Sequence, residues 1–225
     1  MPAASTPARA RPVRARNPRG AGQRLRDDLI EAASRLLVGQ AADEPLSLRA
    51  VARAVGVVPQ AVYLHFPDKR RLVWAVVERC FAELAQAGED AAAAVNDPVD
   101  QLRAWCLAYC RFGLDQPGHY ALLFESRATG QLGVGFADSP GAAVFDRLVA
   151  AVQRCMDAGA APREEAASVA TSLWAGLHGV VSLRRTKPGF PWPPVEKLLE
   201  RLLIGLVGID RRHLRSDAGS ASGPV

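Results

Sequence analysis

With 225 residues, 49% of them apolar and 23% charged, the chain has a globular composition and room for one large domain or a small and a medium one. No uninterrupted apolar run approaches the ~18 residues of a membrane span, and no apolar stretch follows the charged N-terminus as in a secretory signal, so the expected location is the cytoplasm. The net charge of +5 is uneven: residues 1–71 hold thirteen Lys/Arg against six Asp/Glu, the remainder fifteen against seventeen, the balance of a polyanion-binding module joined to a near-neutral one.

Residues 1–19 contain five arginines, no acid and no apolar periodicity, and read as a disordered basic arm or a solubilising tail. A helix follows from about Gly22, with Leu25, Leu29, Ala32, Ala33, Leu36 and Leu37 at three- and four-residue steps, ending at Gly39 and the run 41–45. Ser47 is an N-cap for a short helix from Leu48 to Val55, and Gly56 is its stop. A third short helix is predicted over 58–64, with Pro59 in its first turn, and Pro67 ends it. Two short helices joined by a tight glycine turn outline a helix-turn-helix within residues 20–67.

Residues 68–208 read as an all-helical second domain. Asp68 caps a helix over 69–87, and Asp97–Pro98 starts one running to about Phe112, with Gly113 as its stop. A short helix over 119–126, a glycine-rich loop over 128–138 and a helix from Ser139–Pro140 to near Gly159 follow. Ala161–Pro162 opens a long apolar helix to about Arg185, four prolines within 187–194 form a linker, and the last helix spans 194–207. Residues 209–225 are assigned to a disordered Gly/Ser-rich tail. The expected fold is thus all-α, about nine helices, with no strand pattern. Cys80, Cys106, Cys110 and Cys155 make no zinc spacing and read as buried thiols, although Cys106 and Cys110 share a helix face. No metal, cofactor or catalytic residue is assigned, because no nucleophile–base grouping, paired-carboxylate motif or phosphate-binding glycine loop is present.

The segment from Leu48 to Lys69, with Ser47, Ala52, Gly56-Val57, Tyr63-x-His65-Phe66 and Lys69 in register, resembles the TetR family of bacterial regulators over residues ~22–72. The resemblance implies a DNA-binding head and a C-terminal ligand-binding and dimerisation domain. Val51, Val55, Val57, Val62 and Phe66 would form the core beneath the short helices, because a seven-residue helix is not stable alone. The third helix would then present Pro59, Gln60, Ala61 and Leu64 to the major groove. The Gln60 amide suits adenine N6/N7, and Ala61 and Leu64 suit thymine methyls. Tyr63, His65 and Lys69 would contact phosphates, and Ser47 with the amides of the second helix would hold another. Val58 stands where the family commonly has Ser or Thr, which removes a cap worth ~1 kcal/mol and one phosphate contact. The arginine arm would either enter the minor groove or add non-specific affinity.

In the second domain, Trp174-x-x-x-His178-Gly179, with the upstream Pro117-Gly-His-Tyr120 segment, resembles a Trp-x-x-x-His-Gly (WHG) group of TetR-type C-terminal domains. Trp105, Tyr109, Phe112, Tyr120, Phe124, Trp174 and His178 are candidates for an aromatic ligand pocket, with plain core packing the favoured reading for any single one. By family resemblance, Val169, Leu173, Leu177 and Val181, with Leu199, Leu202, Leu203 and Leu206, are assigned to a homodimer interface. The expected function is a homodimeric regulator, a repressor by resemblance, on a near-palindromic operator and modulated by a small molecule. Its partners would be double-stranded DNA, a second copy and the effector, with no membrane. The alternative is a helical sensor acting through protein contacts with weak or no DNA binding.

Overall fold

The computed structural model describes residues 21–39, 46–126 and 135–214. The described residues form nine α-helices and no strand: α1 (Ala21–Gly39), α2 (Leu48–Val55), α3 (Pro59–Tyr63), α4 (Lys69–Ala93), α5 (Pro98–Asp115), α6 (Pro117–Phe124), α7 (Pro140–Asp157), α8 (Ala166–Thr186) and α9 (Val195–Leu202). The last continues into a π-helical turn, Leu203–Val207, and 3₁₀ turns occupy Phe136–Asp138 and Arg211–Leu214. The expected basic arm, most of the predicted 128–138 loop and the tail from Arg215 lie outside the described residues.

The starts follow the local chemistry of the chain. Ser47 accepts from the Ala50 N–H at 3.4 Å, Asp68 from Arg71 at 2.9 Å, and Asp97 from Val99 at 2.8 Å and Asp100 at 3.2 Å. Each satisfies backbone donors that the first turn leaves open, worth ~1 kcal/mol apiece. Gly56 closes α2 at φ 77°, in the left-handed region, with the Val57 N–H returning to the Ala52 carbonyl at 2.9 Å.

Two glycines do not act as stops. α4 runs past Gly88 to Ala93 and α5 past Gly113 to Asp115. A Cβ at Gly88 would stand 2.4 Å from Trp105 Nε1, and one at Gly113 would stand 2.5 Å from Val181 and 2.7 Å from Tyr120. These glycines let helices approach closely, which costs each helix some propensity and gains interhelical packing. α8 begins at Ala166, not at Ala161–Pro162, because Glu165 supplies the cap, accepting from Ser168 N–H at 2.8 Å. The ordered chain also passes the expected end at 208: Ile209 is buried, and the Arg211–Leu214 turn that follows packs on α5.

α5 is the centre of the second domain, packed against α4, α6, α7, α8 and α9. α1 packs on α2, α4 and α6, so the first domain rests on the second through α4 and α6. By length and composition α8 is apolar enough to cross a bilayer, although Ser, Thr and His interrupt its apolar residues. Its Val169, Leu173, Leu177 and Val181 are buried in this core, although only 33% of its most apolar stretch is buried.

Candidate nucleic-acid interface and apolar cavity

The short helix α3 is held from beneath. Val62 is fully buried and Phe66 nearly so, in one cluster with Val51 and Ala52 of α2 and Leu29 and Ala33 of α1; Val55 and Val57 pack half-buried at its edge. Arg26 of α1 lies over the Phe66 ring at 5.2 Å, a cation–π contact that adds to the clamp. The opposite side of α3 faces outward: Gln60 is exposed, Tyr63 is 56% exposed and Leu64 86% exposed, with Pro59 and Ala61 half-buried beside them. Lys69 is exposed at the start of α4. His65 is half-buried, its Cε1 beside Gly22 of α1. The Ser47 oxygen is engaged as the α2 cap. Val58 has the extended backbone of an N-cap but makes no side-chain cap, and its isopropyl group is 64% exposed.

The second domain contains a cavity of about 290 Å³, walled by α4, α5, α6, α7 and α8. Of the predicted aromatic set, Trp105, Tyr109, Phe124 and Trp174 line it. Phe112, Tyr120 and His178 do not. Phe112 is core, and the Tyr120 hydroxyl lies 2.6 Å from His178 Nδ1, the pair stacked behind Phe124 at 4.9 Å and 5.5 Å between ring centres. Sequence reasoning missed Trp74 and Phe81 of α4, Phe136, and Phe145 of α7, which complete the aromatic wall. The seven-residue spacing of Trp74 and Phe81 places both on one helix face and was the available signal.

No charged side chain lines the cavity among the described residues. Tyr109 Oη and Trp105 Nε1, on two of the lining side chains, are buried without a hydrogen-bond partner. The Trp105 edge is pressed against Gly88, whereas Tyr109 Oη sits where Tyr120 and Trp174 influence it without closing a hydrogen bond. Burial pushes Tyr109 ionisation well up, and that of Tyr120 to about 12. The His178 imidazole is held below its ordinary range mainly by burial, partly opposed by Glu125. Glu125 pairs with Arg185 at 2.8 Å, and that guanidinium lies over the Tyr120 ring at 5.1 Å. All four cysteines are buried free thiols, and burial raises Cys110 to about 12 and Cys155 to about 11.

The residues assigned to a subunit interface require correction. Val169, Leu173, Leu177, Val181, Leu199 and Leu203 are buried within the protomer itself. Apolar periodicity marks a buried stripe but not which partner buries it, and here the protomer's own helices do: α5 and α7 pack on α8, and α5 and α8 pack on α9. Only Leu202, half-buried, and Leu206, 40% exposed, reach the outer face. That face is built from small residues, with Ser172, Ala175 and Gly179 on α8 and Gly205 on the π-turn, and from Leu183. A Cβ at Gly179 or Gly205 would meet nothing within 4 Å.

Two family models match the chain in tandem: "Bacterial regulatory proteins, tetR family" over residues 29–76, and "Tetracyclin repressor-like, C-terminal domain" over residues 102–206. A search of curated proteins finds no match. Among solved structures, the chain is similar to a protein of unknown function from Rhodococcus sp. RHA1, at 26% identity and TM-score 0.68, covering 81% of this chain and 95% of that one. It is similar to the TetR family transcriptional regulator PfmR from Thermus thermophilus, at 20% identity and TM-score 0.57, covering 81% and 99%. It is similar also to RolR in complex with resorcinol, at 16% identity and TM-score 0.61, covering 91% and 97%.

Proposed function

We propose, on the premise that the chain belongs to the TetR family of transcriptional regulators, that it represses transcription as a cytoplasmic homodimer. It binds a near-palindromic operator and is released or modulated by a small molecule held in the cavity. The observation that carries this reading is α3: five residues anchored by Val62, with Gln60, Tyr63 and Leu64 presented outward. Gln60 reads adenine, Ala61 and Leu64 contact thymine methyls, Pro59 fixes the first turn, and Tyr63, His65 and Lys69 bind phosphates. Ser47 acts through the start of α2, where free amides face a further phosphate.

The second copy docks on the outer face of α8 and the π-turn, where Gly179 and Gly205 permit close approach and Leu183, Leu202 and Leu206 supply apolar area. Two heads so joined require half-sites about one helical turn, or a multiple, apart. The relative crystallised with resorcinol supports a small-molecule effector. The Trp174-x-x-x-His178-Gly179 signature supports placement in the WHG group, and the Tyr120–His178 hydrogen bond gives its histidine a structural role.

The test is binding of the purified protein to the DNA upstream of its own gene against scrambled DNA, at two salt concentrations. Tyr63→Ala should weaken binding to all sequences, and Gln60→Ala should relax preference. Specific binding indifferent to both changes removes these residue roles and leaves the regulator. Failure on this DNA and in an unbiased operator selection overturns DNA reading. The uncapped Val58 and the solvent-exposed Leu64 would then belong to a sensor that works through protein contacts.

A further inference from the structure

The character of the cavity narrows what it holds. Among the described residues its lining is uncharged, and burying an ion there without a counter-charge costs far more than it gains. Carboxylates, phosphates and ammonium ions are therefore poor occupants. At the ~0.75 packing density of protein interiors, about 290 Å³ accepts a molecule of roughly 220 Å³, nearer two or three fused rings than one. Trp74, Phe81, Phe124, Phe145 and Trp174 supply flat faces and edges on several sides, Phe145 and Trp174 meeting edge-on at 6.1 Å between ring centres. Such walls pack best against a planar π-system.

One polar group in the wall is unspent. Tyr109 is 2% exposed and its hydroxyl closes no hydrogen bond, although the Tyr120 hydroxyl, itself bonded to His178, and the Trp174 side chain lie near enough to influence it. An orphaned buried hydroxyl costs ~1–3 kcal/mol, and an occupant with an oxygen at that spot restores the missing bond. Trp105 Nε1, the other orphan, is wedged against Gly88 and is not available in the same way.

Resting on the reading of this cavity as the effector site, we propose that the ligand is an uncharged bicyclic or tricyclic aromatic compound bearing a hydroxyl or carbonyl oxygen, and that Tyr109 is the residue that selects for that oxygen. The test is isothermal titration calorimetry of the full chain with 2-naphthol, naphthalene, 2-naphthoate and resorcinol. 2-Naphthol should bind, 2-naphthoate at least about thirtyfold more weakly because its charge is stranded, and resorcinol about tenfold more weakly because it underfills the space. Tyr109→Phe should weaken 2-naphthol about tenfold and leave naphthalene within twofold. Val144→Phe, which fills the cavity from α7, should abolish both.

Absence of 2-naphthol binding, equal binding of 2-naphthoate or resorcinol, or an affinity indifferent to Tyr109→Phe would each overturn the assignment. Operator binding, measured on the same preparation, separates this outcome from failure of the regulator reading. A protein that holds its operator and ignores 2-naphthol loses this ligand class alone. One that takes up 2-naphthol through Tyr109 and binds no DNA keeps the ligand class and loses the regulator.

Discussion

The Ser34 hydroxyl of α1 stands 2.9 Å from His119 Nε2 of α6, and Ser34 is buried within the first domain. Beside it Gly118 lies under Val38, where a Cβ would come within 2.2 Å of the Val38 side chain. α6 is the short helix whose other end places Phe124 in the cavity wall. One eight-residue element thus touches both the cavity and the first domain.

Ser34→Ala tests that connection. It removes the hydroxyl that meets His119 and should cost ~1 kcal/mol of stability. Operator affinity of the unliganded protein should stay within about twofold, while the change in affinity caused by effector should shrink several-fold. Operator Kd with and without saturating ligand reads both. An undiminished response would show that the Ser34–His119 contact does not carry the coupling.

Gly88→Ala should destabilise the protein by ~1–3 kcal/mol, because a methyl group there collides with the Trp105 indole at the α4–α5 crossing. By helix propensity alone the same change would stabilise by ~0.5–1 kcal/mol. Urea unfolding therefore separates packing from propensity by sign.

Val58→Thr should act in the opposite direction. The backbone at 58 already has N-cap geometry, so a hydroxyl can accept from the first turn of α3 without rearrangement. A gain of ~0.5–1 kcal/mol in stability is expected, with tighter DNA binding and a steeper salt dependence from one more phosphate contact. Fluorescence anisotropy at several salt concentrations measures both.

The pH dependence of stability carries a signature of His178. Its folded-state pKa lies below the ordinary 6.5, chiefly through burial. Its contribution is complete above that value. As pH falls through it, the unfolded chain takes up a proton that the folded protein resists, so stability declines. Tm should fall between about pH 7.5 and about pH 5.5, and His178→Gln should flatten that decline. A slope unchanged in the variant would assign it to other groups.

Much of this was legible in the chain because helix starts are written locally: Ser47, Asp68 and Asp97 each cap the helix they precede. Glycine was ambiguous. Gly56 ends a helix, while Gly88 and Gly113 sit inside helices where a neighbouring ring needs the space, and only the position of Trp105 or Tyr120 distinguishes the cases. The Leu173–Leu177–Val181 stripe could be recognised as buried but not as buried by its own protomer, because side-chain periodicity carries no information about which chain supplies the neighbour. The cavity was half legible. Tyr109 and Trp174 stand out as aromatics, but Phe81 and Phe145 enter through the angles at which α4 and α7 cross the bundle, and those angles depend on the whole core.

Three of the four tryptophans, Trp74, Trp105 and Trp174, stand in the wall of the cavity, and the fourth, Trp192, lies apart with its indole N–H held by the Lys187 carbonyl at 2.9 Å. The protein therefore contains its own optical gauge. An aromatic guest in the cavity must quench or shift the emission of three indoles at once, while the outlying fourth continues as a steady reference, so occupancy can be followed by intrinsic fluorescence without any label.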